Sequence, residues 1–283
     1  MFKRLQYPFI YHSTKMLSTI HSCIKGDFLK RNNIKTSWGR NNFGDLMTPI
    51  LLEKLGYIPI NSWFIFSQIV CVGSILDALR PNYSGIIFGS GFLKEKNTKP
   101  LPKAKVVAVR GALTRDAMRL PNEVPLGDPG LLFSKLFRPS ENKIYDLGII
   151  PHYVDFNKNE IKRIAKMYPG KTLIIDVREP VSKVFGEISK CKNIISSSLH
   201  GLIIADSLGI PNKWFFIKSS PHGDRFKFDD YYSAFNEFKE PLILSDITTV
   251  DELLECCMPP SIHIEIVIDK LYKSYHSLNK LLG

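Results

Sequence analysis

The chain has 283 residues, 44% hydrophobic and 23% charged, with a net charge of +11; this excludes a disordered or collagen-like chain and leaves room for two domains of ~100 to 200 residues each. Its most apolar stretch, Trp63 to Leu76, is interrupted by Ser67, Gln68 and Gly73 and is too short for a membrane span, which takes roughly 20 apolar residues. Cys23, Cys71, Cys191, Cys256 and Cys257 are odd in number and lack metal-type spacing, and with no Asp-rich loop either, no metal site is expected.

Residues 1–40 read as a basic arm, with Lys3, Arg4, Lys15, Lys25, Lys30, Arg31, Lys35 and Arg40 against the single acid Asp27. Nucleic acid and anionic lipid both respond first to such charge. The arm has no helix-turn-helix, zinc-finger or RNP-like pattern, so no nucleic-acid partner is expected. Phe2, Leu5, Tyr7, Phe9, Ile10 and Tyr11 place apolar groups beside the charges, which suits a weak membrane-surface contact; a solvated surface is the plainer alternative. Tyr7 to Ile10 is too short for a signal-peptide apolar region. The expectation is a cytoplasmic protein, peripheral at the inner face of the membrane if the arm makes that contact.

From residue 43 onward, short β-branched or aromatic runs alternate with helical patterns, the signature of an α/β fold with parallel sheets. The first lobe, 41–138, has a helix at about Asp45 to Leu55, strands at Gln68 to Val72, Gly85 to Phe88 and Lys105 to Val109, and a helix at Leu113 to Leu120. The polar segment Phe137 to Lys143 reads as a linker. The second lobe, 139–260, repeats the logic: strand Asp146 to Pro151, helix Asn157 to Met167, strand Thr172 to Val177, helix Val181 to Cys191, strand Asn193 to Ser196, helix Leu199 to Leu208 and strand Lys213 to Ile217. Residues 261–283 form a closing amphipathic helix, with its periodicity running from Ile262 to Leu282. Two Rossmann-like lobes facing a cleft would bind ligand beyond the carboxyl ends of their strands.

The segment Ile194-Ile195-Ser196-Ser197-Ser198-Leu199-His200-Gly201 is a strand-to-helix corner. Ser197 or Ser198 can cap the helix, and the first-turn amides, those of Leu199 and its neighbours, offer a site for phosphate or carboxylate. Gly201 would permit close approach. His200 projects from that turn as an acid or anion clamp. A helix N-terminus disfavours the imidazolium, so a bound anion would be needed to restore its proton affinity. Taken alone, such a histidine is more often structural; its place at the strand end beside three hydroxyls favours function. Gly89-Ser90-Gly91, after a strand, can bring amides to an anion or can simply make a tight turn.

The stretch Ile194 to Pro211, IISSSLHGLIIADSLGIP, closely resembles the hallmark segment of the polysaccharide pyruvyl transferase family. Asn42-Phe43-Gly44-Asp45, Val109-Arg110-Gly111, Gly127-Asp128-Pro129 and Phe226-Lys227-Phe228-Asp229-Asp230-Tyr231-Tyr232 resemble it in the same order, over roughly residues 41 to 240. The resemblance implies a GT-B-like pair of lobes, phosphoenolpyruvate as donor, and as acceptor a glycan of an exopolysaccharide or capsule, or its lipid-linked precursor. The product is a pyruvate ketal. No organic cofactor is implied, because the donor carries the activated group itself.

It also implies roles. Arg110 matches the donor-binding arginine and would reach the cleft to hold carboxylate or phosphate; a strand-end salt bridge is the alternative. Asp45 becomes a candidate base for the acceptor hydroxyl where it would otherwise read as an N-cap. Asn42 would position the sugar, and Lys227 would meet the donor phosphate, with Lys218 as its rival. His200, Asp45 and Arg110 form the expected catalytic set; Asp128-Pro129 and Asp176 to Pro180 read as structural turns. The competing function is a glycosyltransferase that uses a nucleotide sugar, since fold alone does not decide chemistry.

Overall fold

The computed structural model describes residues 32–39, 43–217, 225–245 and 248–282. They build two five-stranded sheets, parallel at every strand pairing. The first contains β1 (Asn33–Thr36), β2 (Ile58–Asn61), β3 (Ile69–Val70), β4 (Ile86–Phe88) and β5 (Lys105–Ala108) in the order β2-β1-β3-β4-β5. The second contains β6 (Tyr145–Ile150), β7 (Thr172–Ile174), β8 (Cys191–Ser196), β9 (Asn212–Ile217) and β10 (Leu242–Leu244) in the order β10-β9-β8-β6-β7.

The inner strands are apolar without alternation because helices cover both sheet faces; Ile194 and Ile195 on β8 are both fully buried. The helices are α1 (Phe43–Lys54), α2 (Ala112–Ala117), α3 (Phe133–Leu136), α4 (Asn159–Met167), α5 (Val181–Ser189), α6 (Leu199–Ser207), α7 (Phe226–Ser233), α8 (Val250–Cys256) and α9 (Ile264–Leu282). None of them is long and apolar enough to cross a membrane.

Three features position the site. All nine residues of α6 are buried, as its apolar sequence on every face requires. The helix lies on β8 and β9 and meets the 3-10 turn Pro129–Leu132 of the first lobe, where Gly130 approaches Ile203 so closely that an added Cβ would lie 2.9 Å from it. One apolar cluster therefore runs through both lobes, from Ile34, Phe43 and Met47 to Leu202, Ile203 and Tyr231.

Helix α7 leaves the second sheet and packs on α2 of the first. Gly111 makes this possible, since a Cβ there would fall 1.6 Å from the Asp230 carbonyl oxygen. The closing helix α9 also returns to the first lobe, burying Val267, Ile268, Leu271, Tyr275 and Leu278 along one face. Leu271 and Val267 seat against Gly127, whose φ of +133° also favours glycine.

Two differences from the sequence reading have clear causes. Strand β1 falls inside the stretch assigned to the arm, yet it lies between β2 and β3, so the first lobe starts by Asn33. Its half-polar Asn-Ile-Lys-Thr carries too weak an apolar signal to be read as a strand. Strand β2 was missed because it contains Pro59, which a sheet tolerates at an edge, and β2 is an edge strand.

Candidate active site

A cleft of ≈ 410 Å³ opens between the lobes, with Asp45, Ser74, Ile75 and Asp77 on one wall facing His152, Ser198, Leu199, His200 and Lys227 on the other. Ser74, His152 and the Ser198–His200 group follow the carboxyl ends of β3, β6 and β8, where parallel sheets present their ligands.

The three serines of the corner divide their work. Ser196 Oγ donates to the carbonyls of Ile150 (3.0 Å) and Ser198 (2.7 Å) and accepts from the Ser198 amide. Ser197 Oγ accepts from the His152 amide (2.8 Å) and donates to Asp155 (3.2 Å). Both hydroxyls thus tie β8 to the loop after β6, and Ser197 neither caps the helix nor lines the cleft. Ser198 is the N-cap, with no side-chain capping bond, and faces the cleft. Gly201 is a correction: an added Cβ would lie 2.5 Å from Ser196 Oγ and 3.0 Å from the Ile150 side chain, so the glycine lets the helix approach its own sheet and not a ligand.

His200 sits directly over Gly44, where a Cβ would lie 1.9 Å from Nδ1. Gly44 and His200, from two separate sequence motifs, are therefore in contact. Burial, then the charges of Lys227 and Arg110, lower the imidazole pKa to about 3. The direction is the one expected at a helix N-terminus. Nε2 of His200 faces Oδ2 of Asp128 at 3.8 Å, longer than a hydrogen bond.

Asp45 is the third residue of α1 and so not its N-cap. Its carboxylate lies against Gly39 and Gly73, and burial raises its pKa to about 6, opposed by the Gly39 amide. Lys227 faces the cleft with no carboxylate in ion-pair range among the described residues. Burial, then the nearby Arg110 charge, lowers its pKa to about 8. Asn42 and Lys218 lie outside the described residues.

Arg110 is the main correction. It is fully buried, its Nε pairs with Asp230 at 2.9 Å, Nη1 donates to Ser74 at 2.7 Å and Nη2 donates to the Phe92 carbonyl. Gly91 leaves room for the guanidinium. The strand-end ion pair is what forms, because Asp230, 120 residues away in sequence, arrives on α7. Arg110 reaches the cleft wall only through Ser74.

Gly89 and Ser90 likewise do not line the cleft. Gly89, with φ +76°, abuts Pro129, and buried Ser90 Oγ donates to the Gly73 carbonyl at 2.7 Å, steadying the loop that presents Ser74. Asp128 was read as a turn residue because Pro follows it. It does cap that turn, through Oδ1 to the Gly130 amide at 2.8 Å, but it also faces His200. Ser74 and His152 carried no sequence signal.

The chain matches the family model described as polysaccharide pyruvyl transferase over residues 18–215. The match begins inside the basic arm and stops short of α7. An uncharacterised protein of Acanthamoeba polyphaga mimivirus is 33% identical over 218 residues, 69% of this chain and 71% of that protein. The succinoglycan biosynthesis protein ExoV of Rhizobium meliloti is 28% identical over 205 residues, 67% of this chain and 60% of that protein. A functionally uncharacterised protein from Klebsiella pneumoniae aligns with a TM-score of 0.41 at 15% identity, covering 83% of this chain and 98% of that one. With the family model spanning well over half of its length, the chain belongs to the polysaccharide pyruvyl transferase family.

Proposed function

We propose that this protein transfers the pyruvyl group of phosphoenolpyruvate to a sugar of a surface polysaccharide or its precursor, forming a ketal, with its two lobes working as a GT-B-like pair. The observation that carries this reading is Lys227, a half-buried cation turned to the cleft, beside the Phe228 ring and with no acid partner among the described residues. A partly desolvated ammonium with no countercharge favours an anionic ligand.

In this reading Lys227 and the first amides of α6, which have no carbonyl one turn back, hold the donor's phosphate and carboxylate. Ser198 borders the same position. The anion offsets the repulsion from Lys227 and Arg110 that adds to burial in keeping His200 neutral, so the imidazole takes up a proton that it can pass towards the donor's methylene carbon. A sugar hydroxyl then adds to the resulting oxocarbenium-like carbon and gives its proton to Asp45, whose pKa of about 6 suits a base near neutrality. A second hydroxyl displaces inorganic phosphate and closes the ketal. Arg110 contributes positive potential from behind the wall and orients Ser74. Phosphoenolpyruvate carries the activated group, so the scheme uses no organic cofactor, and the basic arm would hold a lipid-linked acceptor close at hand.

Calorimetry tests the proposal without knowledge of the acceptor. Saturable binding of phosphoenolpyruvate that weakens in Lys227→Ala and His200→Ala, with nucleotide sugars inert, is expected. Tight binding of a nucleotide sugar with no response to phosphoenolpyruvate would sink it.

A further inference from the structure

We propose that Asp128 is a positioning residue that acts through His200, fixing its imidazole as the Nε2–H form and taking up its positive charge when a donor anion binds. The inference rests on the assignment of His200 to the donor site. Its basis is geometric. Asp128 is fully buried, and its Oδ1 is fixed by the Gly130 amide, which aims Oδ2 at His200 Nε2, 3.8 Å away. Among the described residues neither of those two atoms has a hydrogen-bond partner.

Capping the turn needs one oxygen and no charge; asparagine or serine caps as well. A buried carboxylate is costly unless it is paired; the Gly130 and Gly73 amides and the Arg110 charge favour it in part, and its open Oδ2 faces a group that can become cationic. His200 is that group. Lys227 on α7 and Arg110 at the end of β5 both oppose the imidazolium, whereas Asp45 and His152 line the same cleft and Asp230 is engaged by Arg110. Burial holds His200 down at about 3 and Asp128 up at about 6, the state of a pair that has not closed. Once an anion offsets the two cations, a movement of under about 1 Å brings Nε2 and Oδ2 into hydrogen-bond range.

Asp128→Asn keeps the oxygen that caps Gly130 but offers His200 an N–H in place of a carboxylate. Nitrogen NMR of the ligand-free protein labelled in histidine, with the His200 signal assigned by its loss in His200→Gln, is expected to show the Nε2–H form in the unsubstituted protein and a shift towards Nδ1–H in Asp128→Asn. An Nδ1–H form in the unsubstituted protein, or an unchanged ratio in the variant, overturns the proposal; should the variant not fold, the first of these still decides. Calorimetry at pH 7 in buffers of differing ionisation enthalpy adds a second readout. Proton uptake on binding phosphoenolpyruvate should fall by half or more in Asp128→Asn, and equal uptake would overturn the inference. Absence of phosphoenolpyruvate binding to the unsubstituted protein would instead overturn the donor assignment, leaving the tautomer result to judge Asp128.

Discussion

Two strand-to-helix corners, one after the central strand β8 of the second sheet and one after the edge strand β5 of the first, meet opposite fates. After β8, the first turn of α6 opens onto the cleft with Ser198, Leu199 and His200. After β5, the first turn of α2 is sealed: the Ala112 amide donates to Ser233 Oγ (2.8 Å), the Thr114 amide to Asp230 Oδ1 (2.7 Å) and the Thr114 hydroxyl to Asp230 Oδ2 (2.7 Å). A helix N-terminus attracts an anion in either case. At one corner the chain supplies that anion itself from α7, with Arg110 as countercharge; at the other the place is left for a ligand. The same backbone device thus serves the joining of the lobes and, in our reading, the binding of substrate.

The largest effect is expected at the sealed corner. Asp230→Ala strands the Arg110 guanidinium in the interior and should lower unfolding free energy by about 3–5 kcal/mol in urea titrations. A loss below about 1 kcal/mol would show that the two corners do not differ in this way. Gly44→Ala drives a methyl group into the His200 ring and should cost about 1–3 kcal/mol through overpacking while weakening phosphoenolpyruvate binding; unchanged affinity would detach His200 from the donor.

At the open corner, Lys227→Ala should reduce phosphoenolpyruvate affinity by about 10- to 100-fold, as loss of a charge-assisted contact does, without loss of stability. Its pH dependence has a definite sign. The folded pKa of about 8 lies below the ordinary 10.5, so keeping Lys227 charged opposes folding below pH 8, and that cost disappears as pH rises through 10.5. The alanine variant should therefore gain stability at pH 7 and lose the advantage above 10.5. In the unsubstituted protein donor affinity should fall as pH rises past 8, a trend absent from Lys227→Ala. The smallest effect is reserved for an exposed pair: Glu141→Ala, which breaks the bridge to Arg138 between side chains 77% and 86% exposed, should shift stability by no more than about 0.5 kcal/mol.

How far the sequence foretold this molecule follows from which information is local. Apolar runs with turn residues between them sufficed for two parallel sheets, for the corner at Ser196–His200 and for the closing helix. Asp45 and Lys227 reach the cleft as expected. Arg110 does not line the cleft because its position depends on Asp230, which no spacing rule connects to it. Ser197, Gly201, Gly89 and Ser90 stay off the cleft lining for a related reason: residues that suit an anion site also suit close backbone packing, and only the neighbours Asp155, Ile150, Pro129 and Gly73 decide between them. Asp128 was hidden by its proline, since a turn explained it fully. The family motifs turn out to be paired surfaces, Gly44 with His200 and Gly111 with Asp230, a relation that a linear reading does not contain.

The return of α9 to the first lobe has a consequence for synthesis. The Tyr275 hydroxyl donates to the Leu51 carbonyl at 2.7 Å, and Leu271 fills the space over Gly127. Chains generally begin to fold from the N-terminal end as they leave the ribosome. Here the earliest-made sheet cannot complete its packing until residue 275 has been translated, so the half that emerges first is the half that must wait.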